Sequence, residues 1–171
     1  VATPSAAQDP ARVFLDHFRE SSEVRDPVDL ILWPEDSVRV AHPIAASEYG
    51  SAMRTLADAH QADVAAGVVE VRPRGRFRNE LVVWSPGATP VEAYDKRARV
   101  PFGEYVPGRS WLRHLVDLSA VPDDAIAGTR PPVADVAGHR MAVAISYEAL
   151  FPLHVRDGFS GSHELSLDAF Y

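Results

Sequence analysis

Apolar residues recur along the chain with the spacings of alternating helices and strands. Asp9 followed by Pro10 is typical of a helix start, and Phe14 and Phe18 then fall on one helical face. Residues 47–61 repeat the helical spacing and predict a second helix. Short apolar or β-branched runs predict strands at 28–33, 63–71, 79–85, 91–95 and 141–145, the middle three forming a meander. Helices interleaved with strands in this way indicate an α/β fold.

Two of the predicted strands, 28–33 and 141–145, are apolar almost throughout, which is typical of strands covered on both faces. Each is followed closely by a polar side chain: Glu35 lies just past the first strand, and Ser146 ends the second. Ligands of open α/β sheets gather beyond the carboxyl ends of the strands. These two residues are therefore the first candidates for a functional site.

The remaining segments predict loops, turns and two further helices. Residues 96–109 are rich in proline, glycine and charge and indicate a long ordered loop, and 110–118 fit a helix. A tight turn is expected at Gly138 and a short helix after Pro152. The run Gly-Phe-Ser-Gly-Ser at 158–162 is typical of a linker. We therefore divide the chain into a domain at 1–157 and an atypical C-terminal tail at 158–171.

Composition narrows the classes of function. The 171 residues fit one domain, and a net charge of -7 with a pI of about 5.4 argues against a nucleic-acid binder. The absence of cysteine excludes disulfides, thiolate zinc sites and thiol catalysis. The seven histidines lack metal-site spacing, so we expect no metal. We also expect no cofactor. No apolar stretch approaches the roughly 18 residues of a membrane span, so any membrane anchor is expected outside these residues.

A carboxylate, an ammonium and a hydroxyl stand at strand ends or in loops. Glu35 could act as a general base, Lys96 could stabilise a developing oxyanion, and Ser146 could be a nucleophile. Spacing alone supports this trio weakly, because 24 acidic and 17 basic residues allow many such choices.

Three motifs strengthen the choice. They are Trp-Pro-Glu ending at Glu35, then Lys96 followed by Val-Pro-Phe-Gly-Glu-Tyr-Val-Pro at 100–107, and Ser146 followed by Tyr-Glu. Their order resembles the nitrilase superfamily, and the segment 100–107 resembles its apolipoprotein N-acyltransferase branch in particular. The similarity covers roughly residues 29–157.

The resemblance implies an α-β-β-α sandwich, here incomplete at its C-terminal end. It implies that Glu35 is the general base, that Lys96 supports the tetrahedral intermediate, and that Ser146 occupies the position of the family's cysteine nucleophile. Glu104 and Glu148 fall on supporting acids of the site. The implied reaction moves an acyl chain from a phospholipid to the N-terminal diacylglyceryl-cysteine of a lipoprotein. The resemblance also implies that this reaction takes place on the extracytoplasmic face of the cell membrane, in a domain carried by a membrane part that we expect outside this chain.

Serine at position 146 departs from the family pattern, because a hydroxyl is far harder to deprotonate than a thiol. Three explanations remain open: a working serine variant, a variant without catalysis, or an engineered substitution. Two other functions therefore stay in view, a carbon–nitrogen hydrolase acting on a small amide and an inactive domain that binds lipid or a partner. The alternating arginines at 72–78 could touch anionic lipid, although a solvated hairpin tip is the favoured interpretation.

Overall fold

The computed structural model describes residues 9–41, 43–88, 92–161 and 166–169. Their helices are α1 (Pro10–Ser22), α2 (Glu48–His60), α3 (Arg109–Leu112) and α4 (Pro152–Gly161). Their strands are β1 (Leu30–Leu32), β2 (Val38–Val40), β3 (Asp63–Arg72), β4 (Arg76–Trp84), β5 (Glu92–Asp95), β6 (Asp124–Ala125), β7 (Val133–Val136), β8 (His139–Ile145) and β9 (Ser166–Ala169). Short 3-10 helices cover Ile44–Ala46 and Ser146–Leu150.

The larger sheet is built on the predicted meander. Its strand order is β1-β3-β4-β5, and the β3–β4 and β4–β5 pairs are antiparallel, as expected. Strands β1 and β2 pair in parallel with two different parts of β3, and β6 pairs in parallel with β4. The sequence pattern missed β2 and β6, because runs of three and two residues are too short to show a period.

The smaller sheet has the order β7-β8-β9. Strands β7 and β8 are antiparallel, and the predicted turn between them is confirmed, with Gly138 at φ 77°. Strand β9 pairs with β8 in parallel, so that Ala142 lies opposite Ser166.

Side-chain alternation along β3 and β4 builds two cores, one on each face of the larger sheet. Val64, Val68 and Trp84 face α1 and α2 and pack with Phe14 and Met53. The opposite faces of the same strands pack against the smaller sheet; this second core contains Ala65, Leu81, Val83, Tyr94, Val136, Val143 and Ile145. Helix α4 covers the outer side of β8. The layers therefore run helix, sheet, sheet, helix, which confirms the predicted α-β-β-α sandwich.

Three expectations from the sequence are wrong. Residues 158–161 are no linker but the last turn of α4, where a Cβ on Gly158 would lie 2.9 Å from the Ala142 Cβ. The glycine is there for close packing of helix on strand rather than for flexibility. Helix α3 ends at Leu112 instead of 118, and β1 is not covered on both faces, because Leu32 is 41% exposed. The division into 1–157 and 158–171 stays a prediction.

Candidate active site

Lys96 is almost fully buried and lies between two carboxylates. Its Nζ donates to Glu35 Oε1 at 2.9 Å and to Glu104 Oε1 at 2.6 Å. Burial alone would lower the pKa of Lys96, but the hydrogen bonds to Glu104 and Glu35 outweigh it and raise that pKa above its ordinary value. Lys96 is therefore a fixed ammonium, and it brings together three of the residues singled out in the sequence.

The backbone of Lys96 is held on both sides. Its N–H donates to the Asn79 carbonyl at 2.8 Å, which extends the β4–β5 pairing by one residue, and its carbonyl accepts from the Gly128 N–H at 2.9 Å. A Cβ on Gly128 would lie 2.0 Å from the Asp95 carbonyl oxygen, so only glycine fits there. These contacts orient the lysine side chain into the site.

Glu35 is fixed at the end of β1 by a close approach to β3. The Trp33 N–H donates to the Ala65 carbonyl at 2.8 Å, and a Cβ on Gly67 would lie 2.4 Å from the Glu35 Cα. Glycine at position 67 thus makes room for the backbone that carries Glu35. Glu35 as a whole residue is 9% exposed, and its Oε1 accepts a hydrogen bond from Asn79 Nδ2.

Glu104 belongs to the predicted ordered loop. Hydrogen bonds between Glu104 and Val100 form a turn within this loop. Its Oε2 accepts from the Val100 N–H at 3.0 Å, and its N–H donates to the Val100 carbonyl at 2.8 Å. The Ala125 N–H in β6 donates to the Glu104 carbonyl at 2.6 Å. Both ends of Glu104, side chain and backbone, are therefore restrained.

An ion pair next to Glu104 ties the same loop to β6. Asp124 accepts from Arg109 Nε at 2.9 Å and Nη2 at 2.8 Å, and also from the Val106 N–H at 2.9 Å. The hydrogen bonds from Arg109 hold the pKa of Asp124 below its usual value. Arg99 makes a second contact, a cation–π interaction in which its Cζ lies 4.2 Å from the centre of the Tyr105 ring. The sequence pattern gave no sign of these pairs.

Glu148 is fully buried and joins the strand that precedes Ser146 to the loop that follows Lys96. Its Oε1 accepts from Tyr94 Oη at 2.9 Å, from the Arg97 N–H at 2.6 Å and from the Ala98 N–H at 3.0 Å. Its Oε2 accepts from the Ile145 N–H at 3.0 Å. Burial and the charge of Glu148 raise the pKa of Tyr94 above its usual value, so that the phenol stays a donor.

Ser146 follows β8 directly, in the left-handed region with φ 50°. This conformation costs a non-glycine residue about 1–2 kcal/mol, and such strain is concentrated at functional sites. The half-buried Ser146 hydroxyl makes no hydrogen bond to the described residues. The structure thus places Glu35 and Glu104 in direct contact with Lys96. Ser146 makes no such contact; Glu148 bonds the residue before it and the residues that follow Lys96.

Two buried residues beside the site had not been expected. His154 in α4 has its Nε2 at 3.0 Å from the Val143 carbonyl and 3.5 Å from Glu148 Oε2. Asn79 donates to Glu35 from β4. The one available sequence signal was the residue type of Asn79, because asparagine is depleted in strands.

An open cleft of about 370 Å³ reaches Glu35, Asn79 and Glu104. Val69 and Phe77 supply apolar wall, and the rim carries Asp36 and Arg39, whose charges lie 3.5 Å apart. Burial raises the pKa of Asp36 above its usual value. Within the described ranges, no group of three His, Asp or Glu side chains is arranged to hold a metal ion. No helix in the part described is both long and apolar enough to cross a membrane.

The chain is similar in sequence to a known family of enzymes. A family model for carbon-nitrogen hydrolases matches residues 7–164. The apolipoprotein N-acyltransferase of Pseudomonas aeruginosa is 36% identical over 148 residues, which cover 82% of this chain and 28% of the relative. The enzyme of that name from Mycolicibacterium smegmatis is 29% identical over 161 residues, 85% of this chain and 27% of the relative. The chain therefore spans under a third of the length of the curated relatives it matches.

Solved structures agree on the fold. An amidase from Nesterenkonia sp. superposes with a TM-score of 0.62 at 18% identity, over 95% of this chain and 59% of the amidase. A CN-hydrolase superfamily protein from Xanthomonas campestris, with an arsenic adduct in its active site, gives 0.60 at 20% identity, over 85% and 51%. At these identities the similarity concerns the architecture alone.

Proposed function

Because the chain belongs to the carbon-nitrogen hydrolase family, we propose that it is the catalytic part of an acyltransferase that works through an acyl-enzyme on Ser146. The observation that carries the proposal is the buried Lys96 ammonium between Glu35 and Glu104, tied through Glu148 to the residue before Ser146. A base, a fixed cation and a nucleophile position are the parts that acyl transfer requires.

In the first half of the proposed reaction Glu35 accepts the proton from Ser146 Oγ while that oxygen attacks the carbonyl carbon of an acyl ester. The new C–O bond pushes an electron pair onto the carbonyl oxygen, and the Lys96 ammonium stabilises this oxyanion. The intermediate collapses, the ester C–O bond breaks, and the departing alkoxide takes the proton from Glu35. The acyl group then remains on Ser146.

The second half repeats these steps with an amine as the attacking group. The amine nitrogen adds to the acyl carbon, Glu35 accepts one N–H proton, and the bond to Ser146 Oγ breaks. Oγ leaves with the proton from Glu35, and an amide is formed. Glu104 keeps Lys96 in place throughout, since it holds the ammonium at 2.6 Å.

We propose a phospholipid as the acyl donor and the α-amine of a diacylglyceryl-cysteine at a lipoprotein N-terminus as the acceptor. The names of the relatives and the Val-Pro-Phe-Gly-Glu-Tyr-Val-Pro segment at 100–107 support this choice. The domain would then act at the extracytoplasmic face of the membrane, in a protein whose membrane part lies outside this chain.

Serine makes the first half slower than it would be with cysteine. A thiol with an unperturbed pKa of about 8.5 is ionised far more readily than a hydroxyl. A carboxylate is ordinarily a weaker base than the imidazole that activates serine in a serine–histidine pair. We therefore expect measurable but slow acylation of Ser146.

The proposed acyl transfer is tested by measuring its product, the acylated peptide. The chain, its Ser146→Cys and Ser146→Ala variants are incubated with phospholipid vesicles and a diacylglyceryl-cysteine peptide, and the lipids are resolved by mass spectrometry. The proposal predicts triacylated peptide with the unchanged chain, more with Ser146→Cys, and none with Ser146→Ala. Free fatty acid alone, or hydrolysis of a small amide without peptide acylation, would favour a hydrolase. Lipid binding without any product, even in Ser146→Cys, would favour a binding domain.

A further inference from the structure

Glu35 receives both of its hydrogen bonds on one carboxylate oxygen. Asn79 Nδ2 and Lys96 Nζ both donate to Oε1, the first through a short contact and the second at 2.9 Å. No donor in the described residues contacts Oε2, and Glu35 lines the cleft. Oε1 is thus engaged by two donors, whereas Oε2 of this cleft-lining residue is left without one in the described part of the chain.

We propose that Asn79 is a positioning residue which, together with Lys96, fixes Glu35 Oε1 and so assigns Oε2 as the oxygen that receives the nucleophile's proton. The assignment rests on the proposed function and adds the atom at which the proton is held. An oxygen already engaged by an ammonium and an amide is less basic than its partner, which leaves Oε2 as the better proton acceptor.

Packing does not explain asparagine at this position. The side chain is 5% exposed, and its Oδ1 is buried without a hydrogen-bond partner in the described part of the chain. An apolar residue of similar size would avoid this unsatisfied acceptor. Reversing the amide would place Oδ1 against the Glu35 carboxylate, where two acceptors repel. The hydrogen bond that Nδ2 donates to Glu35 is therefore the reason for asparagine at position 79.

Asn79 also fixes the cation of the site. Its backbone carbonyl accepts from the Lys96 N–H at 2.8 Å, while its side chain holds Glu35. One residue of β4 therefore sets the base and the ammonium relative to each other. Misplacing a base by about 1 Å can cost on the order of a hundredfold in rate, so this arrangement matters for catalysis.

The sequence makes a direct test possible, because Asn79 is the only asparagine in the chain. Protein labelled with ¹⁵N-asparagine gives one side-chain amide pair in a proton–nitrogen spectrum. The proposal predicts one Nδ2 proton that lies downfield of a free side-chain amide, because it is donated to a carboxylate. Its chemical shift moves towards the free value in Glu35→Gln. An amide pair at the free value in the folded chain, or one that Glu35→Gln leaves unchanged, would overturn the proposal.

A kinetic test separates positioning from packing. In the Ser146→Cys background, the rate of acylation by p-nitrophenyl butyrate is measured against pH. The proteins compared are the chain with Asn79 unchanged, Asn79→Ala and the isosteric Asn79→Asp, each first shown to be folded. The acidic limb should move to higher pH in Asn79→Ala, because a carboxylate that loses a donor holds its proton more tightly. It should move further in Asn79→Asp, and both rates should fall about 10- to 100-fold.

A purely structural role gives a different result. Asn79→Ala would then keep the acidic limb of the parent, whatever its rate, and that result would reject the proposal. The butyrate ester needs neither phospholipid nor lipopeptide. A shifted profile without any phospholipid acyl transfer would therefore reject the proposed function and keep the role of Asn79.

Discussion

The Ile145 N–H donates a 3.0 Å hydrogen bond to Oε2 of Glu148, one residue before the candidate nucleophile. The other oxygen of the same carboxylate receives the N–H groups of Arg97 and Ala98, which follow Lys96. A single buried side chain therefore sets the distance between the end of β8 and the lysine loop. The smaller sheet and the larger sheet meet at this carboxylate.

Replacing Glu148 by alanine is expected to lower the free energy of unfolding by about 3 kcal/mol or more. Three backbone N–H groups and the Tyr94 hydroxyl would lose their acceptor inside the protein, and each unsatisfied donor costs about 1–3 kcal/mol. Urea unfolding measures the change. Glu23→Ala, on the exposed end of α1, is the control and should change stability by less than about 0.5 kcal/mol. Equal effects of the two variants would contradict the linking role of Glu148.

Ser146→Gly is expected to stabilise the fold by about 0.5–1 kcal/mol. Glycine adopts the observed φ of 50° without strain, and this gain exceeds the entropy that glycine adds to the unfolded chain. Thermal unfolding gives the sign. Ala134→Gly, in a strand with ordinary φ, should lose stability instead. A destabilised Ser146→Gly would mean that the serine side chain contributes more than its backbone strain costs.

The ion pair of Asp124 and Arg109 should stabilise the protein only above acidic pH. The pKa of Asp124 is lower in the folded chain than in the unfolded chain, so its contribution is present above the unfolded value, about 3.9. It is lost as the pH falls through the folded value. Because both side chains are partly exposed, the gain is below about 1 kcal/mol. Stability curves of the parent and Asp124→Asn should differ at pH 6 and converge near pH 2; curves that stay parallel would contradict this linkage.

Glu80 should stabilise the folded protein more at low pH than at high pH, the reverse of the dependence expected for Asp124. Burial and a hydrogen bond with Asp95 raise the pKa of Glu80 to about 8, so the folded chain keeps a proton that the unfolded chain releases above its ordinary value. The contribution of Glu80 to stability is therefore full below its ordinary pKa and declines as the pH rises towards 8. Glu80→Gln cannot ionise and should flatten this decline in urea unfolding between pH 5 and 8. An unchanged slope would place the bound proton elsewhere.

The sequence was sufficient where short-range chemistry decides the structure. The cap at Asp9 and Pro10, the apolar period of α2 and the strand β3 all lie at the expected places, because their signals lie within a few residues. The order of the motifs singled out Glu35, Lys96 and Glu104, and these three side chains do meet. Their roles in catalysis stay predictions.

What the sequence did not reveal depends on register and on distant contacts. Asn79 reaches Glu35 across 44 positions, and Glu148 reaches Tyr94 across 54, through sheet geometry that no local period encodes. The glycine at 158 illustrates the same limit: its residue type fits a turn or a close approach, and only the neighbouring Ala142 decides between them. The linker interpretation failed for this reason.

In the proposed reaction Ser146 carries the acyl group and Glu35 takes its proton. The most direct measurement is peptide mapping by mass spectrometry of the folded chain after incubation with phospholipid vesicles, alongside Ser146→Cys and Glu35→Gln. These two roles predict an acyl mass on the peptide that contains residue 146, more abundant in Ser146→Cys and at least tenfold weaker in Glu35→Gln. An acyl group on another residue, or none on either the serine or the cysteine form, would contradict them.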